Sequence, residues 1–223
     1  MSLIILSLVL LVASTLVGIV ATGIAVRLSH ATGILDYPSD PRKVHRKPIA
    51  YLGGMGFTAT VLLGLGLYAL LVPFEALRQQ ELMLAFIAGL VAIFAVGLWD
   101  DVAGMRPIVK LGAQLAVRLG LWLAGVRIER LNLGLGQPWE LIGTENMGWT
   151  LYLATSWPSA LITMFWYAAL INAINLIDGL DGLAGGVSLI AGLSLGAVAI
   201  IVAGNGADLS IVLPILAAGA CAG

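Results

Sequence analysis

Charged side chains are scarce in this chain of 223 residues, at 10% against 60% hydrophobic residues, and the mean hydropathy is +1.04. A soluble domain of this length covers its surface with roughly a quarter charged residues, so the composition argues against a soluble enzyme, a disordered protein and a nucleic-acid binder. Cysteine is nearly absent. The single Cys221 leaves no internal disulfide framework and no cysteine-ligated metal cluster. Neither sign of charge dominates, with 11 Lys and Arg against 12 Asp and Glu and a net charge of -1, so no global electrostatic partner follows and the position of each charge carries the information.

What the chain has in abundance is long apolar runs. Leu3 to Val26 is uncharged and exceeds the roughly 20 residues that cross a hydrocarbon core. No Lys or Arg precedes it, and the first basic residue, Arg27, follows it, which is the reverse of a secretory signal and predicts an amino terminus outside. Further runs cover about Leu52 to Val72, Leu82 to Trp99, Leu111 to Val126, Trp157 to Ile177 and Leu183 to Ala203, and a last begins near Leu209. The expectation is an all-α, polytopic transmembrane bundle of about seven spans, the last incomplete, forming a single integral membrane domain over 1–223 in contact with the lipid bilayer. With this threading Arg27, Arg42, Lys43, Arg46, Lys47, Arg106 and Lys110 fall inside, while Arg78, Arg127 and Arg130 fall outside and Arg118 lies within the fourth span. Glycines and a proline break the stretch from Arg127 to Ser156 into short extended pieces, which suggests a small exterior hairpin. The 28 glycines suit spans whose backbones approach closely.

The polar exceptions fall on one predicted face. From Asp36 to Gly54 the chain reads DYPSDPRKVHRKPIAYLGG, with Arg42, Lys43, His45, Arg46 and Lys47 between Pro41 and Pro48. Those prolines prevent a plain helix, and the cluster reads either as an anchor on anionic head groups or as a phosphate clamp. In GLWDDVAGMRP, Gly97 to Pro107, the adjacent carboxylates Asp100 and Asp101 end the third span. An acid at membrane depth costs about 3 kcal/mol on insertion scales, so Asp100 and Asp101 together call for a cation or a proton unless they simply stop a helix at the interface. NAINLIDGLDGLAGG, after the fifth run, has no basic residue. There Asn172, Asn175, Asp178 and Asp181 recur every three residues, so on a helix they would share one oxygen-rich side suited to Mg²⁺, and the glycines would let backbone approach a phosphate. A basic loop and two acidic clusters at helix ends suit phosphoryl transfer, which needs positive charge, metal and a positioned base; the membrane implies a lipid substrate.

Together, PRKVHRKP, the WDD pair followed by Lys110 and Gln114, and NAINLIDGLDGLAGG resemble the polyprenyl-phosphate N-acetylhexosamine-1-phosphate transferase family, glycosyltransferase family 4. The RKVH form and Ile177 before Asp178 resemble the branch that starts teichoic acid, O-antigen or enterobacterial common antigen synthesis more than the peptidoglycan branch, which favours Thr there. The resemblance implies transfer of a sugar-1-phosphate from a UDP-N-acetylhexosamine, expected to be UDP-N-acetylglucosamine, to undecaprenyl phosphate, releasing UMP. It also implies dependence on Mg²⁺ or Mn²⁺ and placement in a bacterial cytoplasmic membrane, with the active face cytoplasmic and a homodimer allowed. By the same resemblance Asp100, Asp101, Asp178 and Asp181 are catalytic, and Asn175 and Asp178 bind metal. Arg42, Lys43, His45, Lys47, Lys110 and Asn172 bind substrate. The family continues for several more helices, with a Gly-Asp loop and a His-rich loop that do not occur before Gly223, and its branch commonly carries Pro and Arg where Ala50 and Tyr51 stand. The chain is therefore expected to be an amino-terminal portion.

Other functions use membrane acids. An aspartyl protease would not need the basic loop, and a cation-coupled transporter would usually hold its acids near the midplane. A CDP-alcohol phosphotransferase would carry an arginine after Asp181-Gly182-Leu183-Ala184 that is missing here. A non-catalytic truncated membrane protein is the remaining alternative.

Overall fold

The computed structural model describes residues 2–37, 48–72, 80–128, 130–132, 150–152, 157–203 and 208–223. Their helices are α1 (Leu3–Thr32), α2 (Gly53–Leu71), α3 (Gln80–Ala103), α4 (Pro107–Leu123), α5 (Trp157–Ile177), α6 (Leu183–Ala203) and α7 (Leu209–Ala222). Two short antiparallel pairs join them, β1 (Leu35–Asp36) with β2 (Ile49–Ala50) and β3 (Arg130–Asn132) with β4 (Thr150–Tyr152). The protein is all-α and polytopic, as its apolar runs require. Five of the helices, α1, α2, α3, α5 and α6, are long and apolar enough to cross a membrane. α4 has 17 residues and α7 14, or about 26 Å and 21 Å at 1.5 Å per residue.

The helix limits follow local chemistry. Ser2 caps α1 by accepting the Ile5 N–H, and the helix continues past Arg27 to Thr32 before Gly33 ends it. α3 likewise runs past Trp99 and takes in both Asp100 and Asp101. β3 pairs with β4 from Arg130 opposite Tyr152 to Asn132 opposite Thr150, as expected of a hairpin in this stretch; residues 133–149 lie outside the description. Pro214 interrupts α7 and supplies no N–H for the Ser210 carbonyl.

The core lies where α7 packs among α1, α2 and α6. Leu6 and Leu10, Val61, Leu65 and Tyr68, and Leu209, Val212, Ile215 and Leu216 form one buried cluster. Small residues let these helices close. A Cβ at Gly192 would stand 2.8 Å from the Pro214 carbonyl oxygen and 3.0 Å from the Ala218 Cβ, so α6 and α7 touch there only because the position is glycine. Contact positions also give direction: Gly56 meets Thr22, Gly89 meets Leu121, and Trp122 meets Ser159, so consecutive helices run antiparallel. Gly18 meets Gly219 and Gly223 while Gly192 meets Pro214, placing α7 parallel to α1 and antiparallel to α6. The described polar residues that follow α1, α3 and α5 consequently lie at one end of the bundle.

Candidate active site

At that end the chain leaves α1, forms the β1–β2 pair and enters α2. Asp36 and Tyr51 are brought together by this return: Tyr51 Oη donates to Asp36 Oδ1 at 2.9 Å, and the Tyr51 N–H donates to Ser29 Oγ at 3.2 Å. Ser29, fully buried, donates in turn to the Ile34 carbonyl, so one hydroxyl ties both strands to the last turns of α1. Burial first, then the hydrogen bond to Asp36 and the negative charges of Asp36, Asp101 and Asp100, hold the Tyr51 hydroxyl pKa above its ordinary value. Tyr51 stays neutral and keeps donating.

The α3–α4 turn builds the second part. Gly104 takes a φ of +66°, a conformation that side chains resist, and its N–H donates to the Asp100 carbonyl at 2.9 Å. Pro107 opens α4 at a position where no amide hydrogen is needed, and Lys110 stands one turn on. The Asp100 carboxylate is thereby engaged twice. Its Oδ1 accepts the Met105 N–H at 3.0 Å, and its Oδ2 accepts from Lys110 Nζ at 2.5 Å. Asp101 is exposed, accepts no hydrogen bond from any described residue, and lies in the electrostatic field of Asp100, Lys110 and Asp36. The adjacent acids therefore differ: one is bound into the turn, whereas the other faces outward beside a cation. Such an arrangement can receive a phosphate on Lys110 and a proton on Asp101.

The third segment stands at the same end but does not join this group. Asn172 and Asn175 are exposed on the last turns of α5, and Asn172 Nδ2 donates back to the Ala168 carbonyl at 2.8 Å. The helix stops at Ile177, so Asp178 and Asp181 fall in the following turn rather than on a shared helical face. Both are exposed, and Gly182 reverses the chain into α6 with a φ of +76°. Among the described residues no three His, Cys, Asp or Glu side chains gather closely enough to hold a metal ion. Arg42, Lys43, His45 and Lys47 lie outside the described residues.

Sequence reasoning did not single out Asp36, Tyr51 or Ser29. In the sequence Tyr51 stands out only as a departure from the family's arginine, and its partner lies 15 residues away, beyond any local pattern. The sequence places Arg118 within a span but does not show its burial: it is 2% exposed, its Nη2 donates to Gln114 Oε1 at 3.4 Å, and its Nε and Nη1 have no acceptor among the described residues.

The sequence profile of glycosyl transferase family 4 matches residues 83–223, and the chain belongs to that family. A probable undecaprenyl-phosphate N-acetylglucosaminyl 1-phosphate transferase of Bacillus subtilis is 32% identical over 92% of this chain and 51% of its own length. A decaprenyl-phosphate N-acetylglucosaminephosphotransferase of Mycobacterium leprae is also 32% identical, over 78% of this chain and 41% of its own length. A phospho-N-acetylmuramoyl-pentapeptide-transferase of Thermosynechococcus vestitus is 33% identical over 77% of this chain and 43% of its own length. The chain spans about half the length of the curated relatives it matches.

Proposed function

We propose that this chain carries the polyprenyl-phosphate side of a transferase that moves N-acetylglucosamine-1-phosphate from UDP-N-acetylglucosamine to undecaprenyl phosphate and releases UMP. This would be the first membrane step of a cell-envelope polysaccharide, at the cytoplasmic face of the bacterial inner membrane. The observation that best supports it is outward-facing Asp101 beside the Asp100–Lys110 pair, at the helix ends where a lipid phosphate would stand. In this reading an oxygen of the lipid phosphate forms a bond to the sugar-bearing phosphorus. The bond from that phosphorus to the oxygen bridging it to uridylate breaks, and UMP leaves with that oxygen. Asp101 takes the proton of the attacking phosphate, Lys110 offsets its charge, and Asp100 positions Lys110. Asn175 and Asp178 would supply oxygen donors to Mg²⁺ or Mn²⁺, which would offset the charge of the phosphates.

The second reading, transfer of phospho-N-acetylmuramoyl-pentapeptide, is favoured by the Thermosynechococcus relative. Both are tested by continuing residues 1–223 with the second half of the Bacillus relative and measuring UMP release in membranes supplied with undecaprenyl phosphate. Release from UDP-N-acetylglucosamine and not from UDP-N-acetylmuramoyl-pentapeptide is expected. The opposite preference would replace the first reading by the second, and release from neither by a membrane-inserted chimera would remove both.

A further inference from the structure

A second site lies at the opposite end of the bundle. α4 starts beside Asp100 and ends at Leu123, so the segment that follows it is about 25 Å from the acidic cluster. There a cavity of about 370 Å³ opens between α3, the end of α4 and the start of α7. Leu82 and Phe86 of α3 and Leu213 and Pro214 of α7 supply apolar walls, and Arg127 and Ser210 are its polar members. This volume falls within the range of sites that hold small ligands, and the mixture of a long apolar wall with one cation is the chemistry of a phospholipid rather than of a soluble anion.

Arg127 is held in place by its neighbours. The next residue, Ile128, donates its N–H to Thr163 Oγ1 at 3.0 Å and accepts from Ser159 Oγ at 2.7 Å through its carbonyl. Both hydroxyls belong to α5 and are buried, and Ser159 also accepts the Trp122 indole N–H at 3.2 Å. The Arg127 guanidinium stands 6.0 Å from the centre of the Trp122 ring. A guanidinium that meets an indole by its face directs its N–H groups sideways, where a phosphate oxygen can accept them. On the other wall, Pro214 leaves the Ser210 carbonyl without its helical donor, so Ser210 offers both a hydroxyl and an acceptor. Glu81 and Asp208 adjoin cavity residues in sequence but do not line it.

We propose that this cavity binds one anionic phospholipid of the leaflet opposite the acidic cluster, its phosphate on Arg127 and an acyl chain against Phe86 and Leu213. The head group is phosphatidylglycerol-like: a zwitterionic lipid brings its own ammonium to the phosphate and gains less from the arginine. The site is independent of the transferase reading.

Native mass spectrometry of the protein, released from nanodiscs containing equal phosphatidylglycerol and phosphatidylcholine of identical chains, tests it. The wild type should retain one lipid with a preference for phosphatidylglycerol of about fivefold, the ratio that one basic residue at a membrane surface gives. Arg127→Gln should bring the two lipids to parity in a protein that remains folded and releases intact from the nanodiscs. Leu213→Trp should remove retained lipid of both kinds, and if it unfolds the protein, Phe86→Trp fills the cavity from α3 instead. Equal retention of both lipids by the wild type would overturn the proposal. So would retention unaffected by Arg127→Gln and by a folded cavity-filling variant, or displacement of the lipid by millimolar glycerol phosphate.

Discussion

Helices α1, α2 and α7 form the buried core and α6 closes on α7 through Gly192 and Gly196, whereas α3, α4 and α5 bury little. α7 alone buries Leu209, Ile211, Val212, Ile215, Leu216, Ala218, Gly219 and Ala220; α3 buries Gly89 and α5 buries Ser159 and Thr163. The loosely packed group carries Asp100, Asp101, Lys110, Asn172 and Asn175, together with buried Arg118. Stability and chemistry are thus divided between regions. Core packing depends on shape and is insensitive to charge, while the second region holds polar groups whose cost in a membrane is justified only by what they bind.

The largest effect that separates the two regions should come from adding volume. Gly192→Val forces a branched side chain against the Pro214 carbonyl and Ala218, whereas Gly112→Val on α4 meets nothing within 4 Å. Overpacking costs about 1–3 kcal/mol, so Gly192→Val should lower the melting temperature in detergent by several degrees and Gly112→Val should leave it unchanged. Equal losses would erase the distinction. A smaller effect, of opposite sign, is expected at Arg118. Its buried Nε and Nη1 lack acceptors among the described residues, and apolar replacements of buried charges are often neutral or stabilising. Arg118→Met should therefore match or exceed the wild-type melting temperature, and a fall of several degrees would show that an anionic partner holds the guanidinium.

The smallest effect concerns pH at the junction of the regions. The Tyr51 hydroxyl pKa is raised in the fold above the ordinary value of 10.0, so folding favours its protonated form. That contribution is fully present below pH 10 and is lost as pH rises through the folded value. The stability advantage of the wild type over Tyr51→Phe should be constant from pH 7 to about 9 and shrink above pH 10. An advantage that grows with alkalinity would contradict the sign derived from the Asp36 hydrogen bond.

Much of this division was legible in the sequence. The seven apolar runs correspond to the seven helices because nothing local opposes a helix within them, and α5 starts and ends as expected, at Trp157 and Ile177. Asp100 and Asp101 end the third span as expected: hydropathy stops at Trp99, but the backbone continues to Ala103 until Gly104 turns it. The three-residue recurrence from Asn172 to Asp181 suggested one shared face, yet the helix stops between Asn175 and Asp178. The contrast between Asp100 and Asp101 and the pairing of Tyr51 with Asp36 could not be read from composition or periodicity. Each depends on where a turn returns the chain, and the partners are 10 and 15 residues apart.

On the proposed function the two adjacent aspartates differ, Asp101 serving the substrate and Asp100 holding Lys110. The most direct test compares Asp100→Asn and Asp101→Asn in the chimera continued with the Bacillus half, following UMP release against undecaprenyl phosphate concentration. Asp101→Asn should lower kcat by about 100-fold or more with KM for the lipid little changed, as expected for a group that acts only in the transition state. Asp100→Asn should chiefly raise that KM, because Lys110 loses its anchor. Full activity of Asp101→Asn, or the reverse assignment of kcat and KM effects, would contradict the account.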